Sequence, residues 1–103
     1  MDAPEVVHPL IEGLSDEDVW VRYFSARALG RRRSEESVAA LEKVIEKEKF
    51  NHVRIAALDS LGQIGGEGVA EAVSEFVRDD DPDVARAAQG ALGKSADTTD
   101  HTN

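Results

Sequence analysis

The stretch VRYFSARALG, residues 21–30, decides the fold, because it returns as VRIAALDSLG at 53–62 and as VARAAQGALG at 84–93. Aligned on the leading Val and the closing Leu-Gly, small side chains recur as well, as Ser25, Ala57 and Ala88 and again as Ala28, Ser60 and Ala91. A period of about 31 residues marks a solenoid, in which each unit buries its apolar face against its neighbours. Within each phrase, Val, a small residue four positions on, and small-Leu seven and eight positions on obey the i, i+4, i+7, i+8 rule. Each phrase is therefore one amphipathic helix, an A helix. Small residues on its buried stripe let a second helix come close, and the closing Gly30, Gly62 and Gly93 are expected to supply the left-handed turn that ends the helix. Start signals precede each copy: Ser15, Asp16 or Asp18 before the first, Asn51 before the second, and Asp81-Pro82-Asp83 before the third.

Between the phrases runs a second helix type, B, seen as Ser34 to Lys47 with Val38, Leu41, Val44 and Ile45 on one side, and as Glu67 to Arg78 with Val69, Val73, Phe76 and Val77. A partial copy opens the chain, since Val7, Leu10 and Leu14 stand 31 residues before Val38, Leu41 and Ile45. The connections are short and carry turn chemistry, which makes neighbouring helices antiparallel. The pattern predicts an all-α fold, an α-α superhelix of five to six antiparallel helices in the order B-A-B-A-B-A. One domain is expected over 1–94, comprising a partial repeat at 4–14, repeats at 16–48 and 51–78 and a terminal helix at 81–93. Residues 95–103 are expected to form a disordered polar tail.

Composition narrows the function. Twenty-one acidic against twelve basic residues give a formal charge of −9 among 103 residues, which repels phosphate backbones at long range and argues against nucleic acid as a partner. The local exception is Arg31-Arg32-Arg33, either an anion grip or a solvated basic turn. No cysteine is present, so disulfides, thiolate metal sites and a Cys nucleophile are excluded. No apolar stretch has the length of a membrane span or a signal-peptide core, so neither membrane insertion nor export is expected, and the chain is placed in the cytoplasm. His8, His52 and His101 are scattered, and no spacing typical of a catalytic or metal constellation occurs, so no enzymatic activity and no cofactor are expected. Gly62-Gln63-Ile64-Gly65-Gly66 follows a helix rather than a strand and lacks the Lys-Ser/Thr ending of a phosphate loop. Asp79, Asp80, Asp81 and Asp83 lack the alternation of a calcium loop and read as helix capping.

The phrases Asp-Glu-Asp-Val-Trp-Val-Arg at 16–22 with Ala28-Leu29-Gly30, and His52 to Ala57 with Leu61 to Gly66, resemble the HEAT-repeat family, and more closely the short HEAT-like repeats of phycobilisome lyases and bacterial and archaeal adaptors. The resemblance implies a protein-binding adaptor, with a bilin-lyase subunit and a nucleic-acid binder as alternatives. It also implies a hydrogen-bond ladder between repeats, formed by Arg22 with Asp18 and by Arg54 with Asn51. The third repeat departs from the pattern, with Ala85 at the arginine position and Arg86 one residue later.

Two candidate surfaces for another protein follow. In such a solenoid the B helices line the concave side, and the positions turned away from their apolar stripe are His8 and Glu12, then Glu36, Ala39, Lys43 and Glu46, then Glu67, Ala70 and Ser74. The second surface is one side of the first A helix, where Trp20, Tyr23, Phe24 and Arg27 fall together, residue types that dominate binding hot spots. Trp20 and Phe24 have an alternative role, packing against the opening helix. That opening helix has a wide apolar face through Val6 and Ile11, which points to missing preceding repeats or to a homodimer through the N-terminal helices.

Overall fold

The computed structural model describes residues 7–99. Its regular structure is six helices, α1 (Val7–Gly13), α2 (Val19–Arg31), α3 (Val38–Lys47), α4 (Asn51–Ile64), α5 (Glu67–Ser74) and α6 (Pro82–Thr99), with a 3-10 turn at Glu35–Ser37 and no strand among the described residues. The order is B-A-B-A-B-A. Helices α2, α4 and α6 stand side by side in one layer, α3 packs on α5 in the other, and each B helix packs on the A helix that follows it. The product is an α-α superhelix in the form of a two-layer slab of 42 × 36 × 15 Å. The packing unit is thus a B-A hairpin, and the described residues form three of them. The expected repeat at 16–48 cuts across this unit, since α2 and α3 make little mutual contact. The second B helix opens as the 3-10 turn, and the third stops at Ser74 rather than at Arg78. Residues 4–6, Val6 included, lie outside the described residues.

The core follows the sequence pattern. Leu29, Leu41, Ile45, Val53, Leu58, Leu61, Val69, Val73 and Val84 are fully buried, each stabilising the fold by about 1.5–3 kcal/mol. Asp18 caps α2, its Oδ1 accepting the Trp20 N–H at 2.8 Å, and Asp81 does the same for α6, accepting from Asp83 at 2.9 Å and Val84 at 3.0 Å ahead of Pro82 in the first turn. In the second A helix the cap position is Phe50, which has no side-chain acceptor.

The helix ends correct the expectation placed on the glycines. Gly30, Gly62 and Gly93 all lie inside their helices; α2 is ended instead by Arg33, at φ 51°, and α4 by Gly65, at φ 72°. A Cβ on Gly30 would lie 2.7 Å from the Ser60 Cα, and one on Gly62 would lie 3.1 Å from the Ala91 Cα. These glycines are therefore the points where one A helix meets the next backbone to backbone. Ser60 seals the first junction, its buried hydroxyl donating to the Ala26 carbonyl at 2.6 Å. At Gly93 nothing lies within 4 Å of an added Cβ, and α6 passes through it to Thr99. Residues 95–99 are consequently helical rather than part of a disordered tail, and 100–103, with His101, lie outside the described residues.

A second set of contacts ties each loop to the next. Arg22 Nε donates to Glu48 Oε1 at 2.7 Å and its Nη2 to Oε2 at 3.1 Å, while Nη1 donates to the carbonyls of Asp16 and Glu17. Arg54 repeats this one unit later: Nη2 donates to Asp79 Oδ1 at 2.7 Å, Nη1 to Asp79 Oδ2 and Asn51 Oδ1, and Nε to the Ile45 carbonyl. The ladder exists, but its main acceptors are Glu48 and Asp79. Asp18 is occupied as a helix cap, and Asn51 contributes a lesser contact while its amide donates to Asp81 at 2.8 Å. Each acceptor also takes the N–H two residues on, Phe50 for Glu48 and Asp81 for Asp79. In the third copy, Ala85 offers no side chain for a rung, and Arg86 makes an exposed local pair with Asp83.

Burial pushes the Glu48 carboxyl up, but the Arg22 hydrogen bond, the Phe50 N–H and the nearby charges of Arg22 and His52 together carry it below its ordinary range. Asp79 is also lowered, by the Arg54 hydrogen bond first and then by the Asp81 N–H. A carboxyl depressed in the folded state stabilises the fold above its unfolded pKa, and the contribution disappears as pH falls through the folded value. Urea unfolding should therefore show stability declining below the ordinary carboxylate range of about pH 4. Replacing both Arg22 and Arg54 by Ala should flatten that acid limb, and at pH 7 each substitution should cost about 1.5–3 kcal/mol. In the same assay Gly30→Ala should cost about 1–3 kcal/mol by overpacking, whereas Gly93→Ala should stabilise by up to about 1 kcal/mol through helix propensity.

Candidate functional site

Four residues of α2 spaced i, i+3, i+4 and i+7 form one strip, and the structure brings all four together. The Trp20 and Tyr23 rings meet edge to face at 5.6 Å, Tyr23 and Phe24 at 5.1 Å, and Trp20 lies 6.3 Å from Phe24. The Arg27 guanidinium stands 5.6 Å from the Tyr23 ring centre and donates to its hydroxyl at 3.3 Å. The strip crosses into the next hairpin, where the His52 ring sits 5.2 Å from Trp20, 5.5 Å from Tyr23 and 6.0 Å from Phe50. Lys49 lies 5.8 Å from the Phe50 ring.

This strip faces solvent. Trp20 is 55 % exposed, Phe24 58 %, Phe50 43 % and Val21 40 %, so Trp20 and Phe24 do not pack into the core against the opening helix. The register explains why. Val53 and Ala56, one period after Val21 and Phe24, are buried, and Ala56 lines the cleft between α2 and α4. The Ala56 position faces the preceding A helix, and among the described residues no A helix precedes α2 to cover Phe24. His52 and Phe50 extend the patch beyond the predicted set. His52 stands 32 residues after Trp20 and was legible from the register, whereas Phe50 lies in a turn, where helical spacing carries no signal.

Beside the strip, Tyr23, Arg27, Arg31, His52, Ile55 and Asp59 line a cleft of ≈ 440 Å³ between α2 and α4. Partial desolvation there raises the Asp59 carboxyl above its ordinary value, against the pull of Lys94 and Arg27. Of the three consecutive arginines, only Arg31 lines this cleft.

The B-layer candidates divide into separate groups. His8 Nε2 and Glu36 Oε2 are 3.1 Å apart, joining α1 to the 3-10 turn. Ala39 and Lys43 line a cleft of ≈ 630 Å³ between α1 and α3. Glu46 stands with Glu42 and Glu75, their carboxylate oxygens all within 4.8 Å of one another; the Glu42 carboxyl is raised by burial first, then by the charge of Glu75. Glu12 and Glu67 are exposed and Ala70 is half-buried, while the Ser74 hydroxyl donates to the Glu71 carbonyl of its own helix. Of the aspartates expected as helix caps, Asp81 caps α6, whereas Asp79 accepts from Arg54 as a rung and Asp83 pairs with Arg86.

Among the described residues no helix is long and apolar enough to cross a membrane. No curated protein matches the sequence. The sequence profile of the HEAT repeats matches residues 7–93, the three hairpins from the start of α1 to Gly93. HEAT repeats commonly mediate protein–protein interaction, and HEAT-repeat proteins are typically non-enzymatic scaffolds. With the repeated phrase, the stacked hairpins and the profile in agreement over most of its length, the chain belongs to the HEAT-repeat family.

Proposed function

We propose that this chain is a non-catalytic adaptor that docks a protein partner on the aromatic strip of α2 and the start of α4. The observation that carries the reading is the contiguous exposure of Trp20, Val21, Phe24 and Phe50 beside the cations Arg27 and Lys49. Single exposed apolar residues are ordinary on a protein surface, but a contiguous patch marks an interaction site. Trp, Tyr and Arg are the side chains that most often dominate binding energy.

A bilin-lyase subunit rests on the resemblance to phycobilisome-lyase repeats alone. A nucleic-acid binder rests on Arg31, Arg32 and Arg33, in a chain of charge −9 whose neighbouring cleft also holds Asp59. Neither has an observation comparable to the strip.

Affinity capture from lysate of the source cells, with wild type compared with a Trp20→Ala/Phe24→Ala variant, tests the proposal. The variant should lose a captured protein while its circular dichroism spectrum keeps its helical form, the lost ring contacts of Trp20 and Phe24 costing about 0.5–1.5 kcal/mol per pair. Light scattering completes the test: a dimer that the same variant converts to monomer would make the partner a second copy. A capture pattern and mass unchanged by the variant would overturn the proposal.

A further inference from the structure

The opening helix has an unexplained apolar residue, Ile11, and the structure gives it a place. Helices α1 and α3 scarcely touch, and between them lies the open cleft of ≈ 630 Å³. Ile11 and Leu14 form its α1 side, and Ala39, Ala40 and Val44 its α3 side. The alanines keep the α3 wall low, so the cleft remains wide where larger residues would fill it.

Its rim is opposite in charge to the molecule. The chain carries −9 overall and has four lysines, three of which, Lys43, Lys47 and Lys49, line this cleft. Lys43 and Lys47 are one turn apart on α3 and make no hydrogen bond or ion pair among the described residues. The two carboxylates at the same cleft are already engaged: Asp16 accepts the Asp18 N–H at 2.8 Å, and Glu48 holds the guanidinium of Arg22. What faces an incoming ligand is therefore an apolar floor beneath uncommitted ammonium groups.

We infer that this cleft is a second docking site, and that its occupant is an acidic, amphipathic peptide segment of a partner protein. An amphipathic helix lays apolar side chains at i, i+3 and i+4 into such a groove, and its carboxylates meet the lysines at the rim. Against a net charge of −9, the lysines give this cleft a local attraction for an acidic segment. A phosphate-bearing ligand matches the rim but has no use for the floor. Lys49 stands between this cleft and the aromatic strip, whereas Lys43 and Lys47 belong to the cleft, so variants at those two test it independently of the strip.

A random dodecapeptide library displayed on phage and selected on the full chain is the test. Enriched peptides should combine Asp or Glu with Leu, Ile or Phe at helical spacing. A synthetic copy of one, followed by fluorescence anisotropy, should bind Lys43→Glu/Lys47→Glu at least tenfold more weakly and Lys43→Gln/Lys47→Gln with a smaller loss. Its affinity for the wild type should fall as salt rises. Both lysines are exposed, so circular dichroism should be unchanged in these variants. Binding to Trp20→Ala/Phe24→Ala should match the wild type, which separates this site from the strip. Absence of enrichment, enrichment without acidic residues, or binding insensitive to lysine reversal would overturn the inference.

Discussion

Where Gly30 faces Ser60 and Gly62 faces Ala91, two helices approach so closely that a single added Cβ would press on the neighbouring backbone. That spacing governs the rest of the molecule. It sets the A layer in contact, so Val53, Leu61 and Val84 become fully buried, and it fixes how far the B layer follows. Ser60 shows how tightly the junction is specified: a polar side chain is admitted to the interior because its hydroxyl has one acceptor, the Ala26 carbonyl, within reach. The rungs Arg22–Glu48 and Arg54–Asp79 then fasten the loop ends of units whose helices already touch. Each rung has few degrees of freedom left to lose, because the arginine is also held by backbone carbonyls.

The architecture was legible in the sequence because burial repeats with a period. The same ten-residue phrase reports both helix face and register, and it placed every A helix correctly. Helix ends were less legible. Leu-Gly looks like a stop signal when only the local chain is considered, but Gly30 and Gly62 are small because of a neighbour some 30 residues away. The true stops are Arg33 and Gly65. The first of these carries no sequence signature, since a non-glycine residue at positive φ is uncommon. The ladder was half legible: both arginines stood in the phrase, whereas their principal acceptors, Glu48 and Asp79, lie in the loop before the next A helix.

Surface sites were legible only where they borrowed the helical period. Trp20, Tyr23, Phe24 and Arg27 share one face by spacing alone. Their exposure was not given by spacing, because in the next hairpin the position of Phe24 is buried as Ala56 while that of Trp20 stays exposed as His52. What differs is the absence of an A helix ahead of α2 among the described residues. The predicted B-layer face did not remain one surface, since His8 turns to Glu36, Lys43 to the cleft and Glu46 to a carboxylate cluster. Tertiary neighbours, not helical register, decided each of these.

The pairing of each B helix with the A helix that follows it bears on how the chain acquires its structure. A contact between neighbouring hairpins spans about one period, and the two rungs close intervals of 26 and 25 residues. Ordering such short intervals sacrifices little chain entropy, so the topology favours rapid acquisition of the native state. Of the three described hairpins, α3–α4 alone is flanked on both sides. It is the natural nucleus, with the outer hairpins adding to it in either order and fraying from it first.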